Sequence, residues 1–413
     1  MKRLWKHIPP CLSDVMGFQA VISRTDGLGI VDDPSRYKPL STLGVGDAMP
    51  MSMGAGRPMG RHEGFGGPGG FRGPGGRGGA SRVVDSELRN EDIISGTEKK
   101  IIQAFEENKG IDPKFVFVCN APSSAMISSD VESAAIRISE IGSIPAGNVK
   151  VYGEKDYLFG ASLTFEAIAK LLMEKTGRIP DSVNLIGCNM VDWNNEAIED
   201  ITRRIEECGV KVISRWGAEG LTAENIRKAA GAGLNIVVNI SGIRAAQYML
   251  DEFNIPYIAG APYGEEQLNE LIAMMKAALA DPAYEAGSVS LDKDKSEDEP
   301  YDAIVMGEQF MANAIRRELL KKGFKSIRVF SFFEMDRKYM EPGDKKIASE
   351  DELEQLTNAD GLKLIAANPD YRQAVKKEVS WIDLPNSGMA IMTKVNPVNM
   401  TGEKLGEWLD RNL

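Results

Sequence analysis

The sequence predicts an α/β protein of three Rossmann-like domains, with parallel sheets around a shared cleft. Three observations carry that expectation. From about residue 114 onward, short β-branched runs alternate with amphipathic helical stretches, which is the βαβα rhythm of a parallel sheet covered on both faces. The rhythm breaks at 282–299, a polar, acidic, proline-flanked stretch that reads as a linker, and then restarts. The length, 413 residues, is enough for two or three domains that each bury a core.

In the first domain, 1–178, the run 115–118 reads as a buried strand, and Ser128-Ser129-Asp130 caps a helix through Ile136. A strand at 148–152 and a helix over 163–174 follow. The second domain, 179–281, holds strands at 182–186, 210–216, 235–240 and 256–259. Ile198, Ile201, Ile205 and Cys208 fall on one face of the helix after the first of these. The third domain, 300–413, has strands at 302–306, 326–333 and 362–367 and a helix over 310–322.

Residues 51–82 stand apart, with 13 glycines and 5 arginines against one glutamate. Such a stretch buries too little apolar surface to offset its ordering entropy, so it reads as a disordered insertion. Its arginine-glycine pattern, with Phe65 and Phe71 able to stack on bases, is like that of RNA-binding tails. The net charge of −11 argues against nucleic acid and favours a plain flexible insertion.

Composition excludes several chemistries. No run of 18 apolar residues is present to span a membrane, and no apolar stretch follows the basic start, so the expected location is the cytoplasm. The only histidines are His7 and His62, which leaves almost no material for a Ser-His-Asp triad or a His-metal site. The cysteines, at 11, 119, 188 and 208, form no CxxC pair, against both a disulfide scaffold and a zinc ribbon. There is no GxxxxGK[ST], and no GxGxxG follows a strand; Gly231-Ala232-Gly233 precedes one. No NAD or ATP site is therefore expected in this chain.

Parallel sheets bind ligands at the carboxyl ends of their strands. Here those ends carry Cys119-Asn120, Gly187-Cys188-Asn189, Trp216-Gly217, Asn239 and Gly307-Glu308. Asn120, Cys188, Trp216 and Asn239 are the candidate cleft-lining, cofactor-contacting residues. For Cys119 and Cys188, packing as a small buried hydrophobe competes with a ligand role, and Cys208 belongs to the core.

The order and spacing of several segments resemble one known family. Residues 211–264 contain a strand ending in W-x-x-x-G (Trp216 to Gly220), then Asn235-Ile236-Val237, Ile255-Pro256-Tyr257 and a loop through Pro262 and Gly264. That pattern resembles the second domain of nitrogenase component 1 subunits. Ile8-Pro9-Pro10-Cys11 with Asp14 and Gly17 looks like the family's first strand-loop, and 114–131 is similar to the segment around its third cluster cysteine. Residues 301–323 and 359–381, with Asn368-Pro369-Asp370, look like the third domain. The likeness covers all but about 41–95.

The resemblance implies an oxidoreductase subunit that takes electrons from a separate ATP-dependent iron–sulfur protein and pairs with a homologous component 1-like subunit. It also implies an iron–sulfur cluster at the subunit interface, with Cys11 and Cys119 as its metal-binding candidates and Cys11 the foremost. The departures are specific. Cys11 sits near the first cluster position, the second falls at 35–37 where there is no cysteine, and the third falls at 121–122, after Cys119. The position of the cofactor-binding cysteine falls near Asn239, and the cofactor's histidine ligand has no counterpart, so reduction of dinitrogen is not expected. The alternative the family offers is a non-catalytic scaffold or partner subunit for metal-cofactor assembly.

Overall fold

The computed structural model describes residues 6, 8–34, 82–281, 283–294, 296–385, 388 and 396–413. All of the expected Gly/Arg-rich insertion except Arg82 lies outside the described residues, as do His7, His62 and the position at 35–37.

Three parallel sheets organise the chain. The first unit runs α1 (Asp14–Ile22), β1 (Leu28–Asp32), β2 (Val83–Asp85), α2 (Asn90–Ser95), α3 (Glu98–Asn108), β3 (Val116–Asn120), α4 (Pro122–Met126), α5 (Val131–Gly142), β4 (Ala146–Val149) and α6 (Tyr157–Leu172). The second runs β5 (Ser182–Ile186), α7 (Asn195–Glu206), β6 (Lys211–Trp216), α8 (Ala223–Ala229), β7 (Leu234–Val237), α9 (Ile243–Phe253), β8 (Tyr257–Ala259), α10 (Glu265–Ala280) and β9 (Ala286–Ser288). The third runs β10 (Ala303–Met306), α11 (Gln309–Lys321), β11 (Ile327–Ser331), β12 (Lys345–Lys346), α12 (Glu350–Thr357), β13 (Leu364–Ala367), β14 (Ser380–Asp383) and α13 (Lys404–Asn412).

The sheet orders are β2-β1-β3-β4, β6-β5-β7-β8-β9 and β12-β11-β10-β13-β14, and every pairing is parallel. Each sheet follows one plan: the chain starts at an inner strand, moves outward, then crosses back over. The topological switch points therefore lie between β1 and β3, β5 and β7, and β10 and β13. The inner strands β1, β3, β5, β7, β10 and β13 are buried along their whole length, as sheets covered on both faces require.

Local sequence explains the element ends. Asp130 accepts the Ser133 N–H at 3.0 Å and starts α5, as the sequence suggests. Asp156 accepts the Leu158 and Phe159 N–H groups at 3.0 and 3.3 Å, so α6 begins six residues before the helix read at 163. Two further differences matter. The segment read as a strand-loop at Asp14 and Gly17 is the start of helix α1, whose buried Asp14 carboxylate accepts N–H groups from Val15, Tyr152 and Gly153 (2.9, 3.1 and 2.6 Å). The stretch 282–299, read as a linker, contributes the edge strand β9, which pairs with β8 from Ala286 to Ser288.

The tightest packing is the crossing of α1 and α6. A Cβ added at Gly17 would fall 2.0 Å from the Tyr157 carbonyl oxygen, and one at Gly160 only 1.8 Å from that of Asp14. Backbone meets backbone here, and no side chain can yield. We expect Gly160→Ala to lower the unfolding free energy by about 3 kcal/mol or more, the upper range for overpacking a rigid site. Urea denaturation checks it, and a loss under about 1 kcal/mol would mean that the crossing is not rigid.

Candidate functional site

The three switch points are the places to look for chemistry, and each carries an asparagine on its crossing strand. Asn120 ends β3, Asn239 follows β7 and Asn368 follows β13. Their amides serve local turns. Asn120 Nδ2 donates to the Ser129 carbonyl (3.3 Å), Asn239 Oδ1 accepts Ser241 N (3.0 Å), and Asn368 Oδ1 accepts Asp370 N (2.9 Å).

At the first switch point, Asn120 faces aspartates that end β1 and β2. Asp32 accepts from Ser86 Oγ (2.9 Å) and Ser129 Oγ (2.6 Å), and Asp33 accepts from Ser123 Oγ (2.5 Å). Burial pushes Asp85 up to about 7, helped by the charges of Asp33 and Glu87. These aspartates are not legible from the strands expected in the sequence, because β1 and β2 are not among them. The signal was the apolar run at 28–31, closed by two aspartates in succession.

The second switch point is where the three units meet. Gly187, at φ +97°, turns the chain beyond β5 so closely past β7 that a Cβ there would lie 2.9 Å from the Asn239 Cβ. In the loop that follows, Asp192 is buried and accepts from Tyr157 Oη (2.7 Å), Asn189 Nδ2 (3.0 Å) and Asn239 Nδ2 (2.9 Å). Tyr157 belongs to the first unit, and its ring packs edge-on against Phe333 of the third (centroids 5.3 Å apart). Glu308, just beyond β10, closes the circle. It caps α11 by accepting Met311 N (2.9 Å), and its other oxygen accepts Ile240 N from the second unit (2.9 Å). Trp193 and Tyr263 stack beside this cluster with centroids 5.0 Å apart.

Electrostatics sets the charge states. Burial, and then the neighbouring Asp192, push Glu308 up to about 8 against the pull of three backbone N–H groups, so at neutral pH it holds a proton. Tyr263 is raised well above its ordinary value by burial and then by the charges of Asp192 and Glu308. The junction can therefore store a proton at Glu308.

The candidates separate as follows. Cys188 and Asn239 share the second switch point, and both are fully buried. Trp216 adjoins them through its carbonyl, which accepts Cys188 N (2.9 Å), but its indole turns inward, bonds Ser214 Oγ (2.8 Å) and packs on Phe165. Asn120 lies at the first sheet, in a different site. Cys119 is buried in the core with its thiol raised, by burial first and then by surrounding aspartates. Cys11 is half-buried near Asp156, Lys346 and Tyr371; burial, then Asp156, push its thiol up to about 12. Sequence reasoning missed Tyr157 and Asp192. Asp192 is the only charged residue between β5 and α7, and a lone charge in a strand-end loop was the available signal.

An iron–sulfur cluster needs thiolates, normally four ligands. The described residues do not fit one held by a single copy of this chain. Cys11 and Cys119 are held as thiols, and among the described residues no group of three or more Cys, His, Asp or Glu side chains could hold a metal ion. The Asn239 amide is committed to Asp192 and Ser241.

Comparison with known proteins settles the kinship. The family model described as nitrogenase component 1 type oxidoreductase matches residues 68–330, well over half of the chain. The chain belongs to that family. The nitrogenase iron-molybdenum cofactor biosynthesis protein NifE of Nostoc sp. is 26% identical over 300 residues, covering 68% of this chain and 60% of that protein. A subunit of the light-independent protochlorophyllide reductase of Prosthecochloris aestuarii is 23% identical over 218 residues, covering 50% and 39%. The match spans less than two thirds of each of these relatives. The solved structure "Nitrogenase Cp1 at pH 6.5" shares the fold with a TM-score of 0.72 at 13% identity, covering 100% of this chain and 94% of that one. Among the described residues no helix is long and apolar enough to cross a membrane.

The buried carboxyl makes a prediction about pH. Because Glu308 is raised in the fold from 4.5 to about 8, folding takes up a proton between those values. Its stabilising contribution is complete below about pH 4.5 and is lost as pH rises through about 8. Between pH 5 and 8 the wild type should lose stability faster than Glu308→Gln, with slopes differing by about 1.4 kcal/mol per pH unit. The variant should start lower at pH 5, because its NH2 meets an N–H that a carboxyl oxygen accepted. Urea melts from pH 5 to 9 read both effects, and parallel curves would refute the assignment.

Proposed function

We propose that this chain is a non-catalytic partner or scaffold subunit of a nitrogenase-like complex. It pairs with a homologous component 1-like subunit and supports metal-cofactor assembly. The observation that carries this reading is the second switch point, where the Tyr157 hydroxyl and the Asn239 amide are committed to Asp192 and the Glu308 carboxyl is committed to backbone N–H groups. Kinship to a protein named for iron-molybdenum cofactor biosynthesis supports the same direction.

A second reading is an electron-accepting reductase subunit served by a separate ATP-dependent iron–sulfur protein. It rests on Cys11, which is half-buried just before α1 and has a carboxylate, Asp156, and an ammonium, Lys346, near its thiol. A cluster there would take its remaining ligands from a partner subunit.

One experiment separates the two. Wild type and Cys11→Ser are purified without oxygen, each alone and with a co-expressed homologous subunit, and iron per complex and visible absorption are measured. The scaffold reading expects the same iron in both proteins under each condition. Loss of iron and of visible absorption in Cys11→Ser alone would establish the electron-accepting reading in its place.

A further inference from the structure

A cavity of about 310 Å³ lies beside β6. Among the described residues β6 is an edge strand that pairs only with β5. Its outward main-chain N–H and C=O groups therefore have no strand opposite them. The volume is at the small end of the roughly 300–1,000 Å³ typical of ligand sites.

The lining is chemically uneven. Most of its exposed surface is polar, with a smaller apolar part from Val212, Ile213 and Leu221. The Thr202 and Ser214 hydroxyls are already engaged, with the Ile198 carbonyl (2.7 Å) and Asn184 Oδ1 (2.7 Å). Glu219 is answered by Arg24 at 3.3 Å. Three polar groups remain, one of them the exposed carboxylate of Glu206. Arg215 is half-buried, yet among the described residues its guanidinium makes neither a hydrogen bond nor an ion pair, and the Asn225 side-chain amide is likewise unengaged. The Arg215 guanidinium thus stands without a bonded anion among the described residues. Its fork of N–H donors matches a carboxylate in the plane.

We propose that this cavity is a binding site for a small organic monocarboxylate with an apolar body. The carboxylate pairs with Arg215 and accepts from Asn225, while the hydrocarbon part lies against Val212, Ile213 and Leu221. The exposed carboxylate of Glu206, which also lines the cavity, repels every anion, but a doubly charged one most, and so favours a monocarboxylate over dianions and phosphate. The site does not rest on the function proposed above.

The test is calorimetric titration of the full chain with hexanoate and benzoate as probes, against acetate, succinate and inorganic phosphate. Hexanoate or benzoate should bind saturably, about tenfold or more tighter than the three controls, and Arg215→Gln should weaken that binding about tenfold. Asn225→Ala, at the surface of α8, is measured alongside and should weaken it by about half as much in free energy, so the answer does not depend on one variant folding. Thermal melting without ligand verifies that each variant folds. Absence of saturable binding, phosphate or succinate binding as tightly as hexanoate, or unchanged affinity in folded Arg215→Gln and Asn225→Ala would each overturn the proposal.

Discussion

Two buried carboxyl groups, on Asp192 and Glu308, hold the three sheets in their mutual positions. A buried carboxylate without partners costs several kcal/mol, so the chain around each must deliver donors at fixed places. Asp192 draws a phenol from the first unit and two amides from the second, while Glu308 joins the third unit to the second through the Ile240 N–H. If any of these elements slid past its neighbour, a polar group would be stranded in the interior. The protonation of Glu308 eases the arrangement, since one negative charge rather than two then occupies the centre at neutral pH.

Helix α6 transmits this constraint outward. Its first residue, Tyr157, stands at the junction; its middle packs through Gly160 on α1; and Phe165 meets Trp216 of the second sheet. Asp156 caps the same helix, with Lys346 of the third unit 3.7 Å from its carboxylate. One helix thus touches all three units, and the two glycines at its crossing allow the closeness. Gly217, at φ +93°, plays a similar part beyond β6, since a Cβ there would come within 2.9 Å of the Cys188 carbonyl carbon.

Much of this was legible in the sequence, for a definite reason. Strands β3, β5, β6, β7, β8, β10, β11 and β13 are apolar, β-branched runs between helices with one apolar face, and both signals are local. Strand ends follow from strand positions, so Asn120, Cys188, Asn239 and Glu308 came into view together. β2 and β9 were not legible, because each has three residues and lies next to low-complexity or acidic sequence, where no periodicity can build. The direction of the Trp216 indole was hidden too. The pairing of β5 with β6 shifts register between Val183 and Asn184, which upsets simple alternation. Tyr157 and Asp192 could not be paired, because periodicity assigns a residue to a face of its own element and says nothing of which distant element meets that face.

The common plan of the three sheets bears on what this member of the family can do. In each, an amide stands on the crossing strand, and each amide is spent on its own turn or on a neighbouring carboxylate. A site ready for a ligand needs the opposite condition, polar groups positioned but not yet satisfied, so that the incoming group completes them. At the junction that condition is absent among the described residues: donors and acceptors there match one another. It is met at the edge of the second sheet, where Arg215 and Asn225 remain unanswered beside an open volume. Polar groups committed to one another at the junction make a rigid frame, and polar groups left unengaged at the rim make a place to bind. That distribution suits a chain whose interior serves to hold shape while exchange with other molecules takes place on its surface.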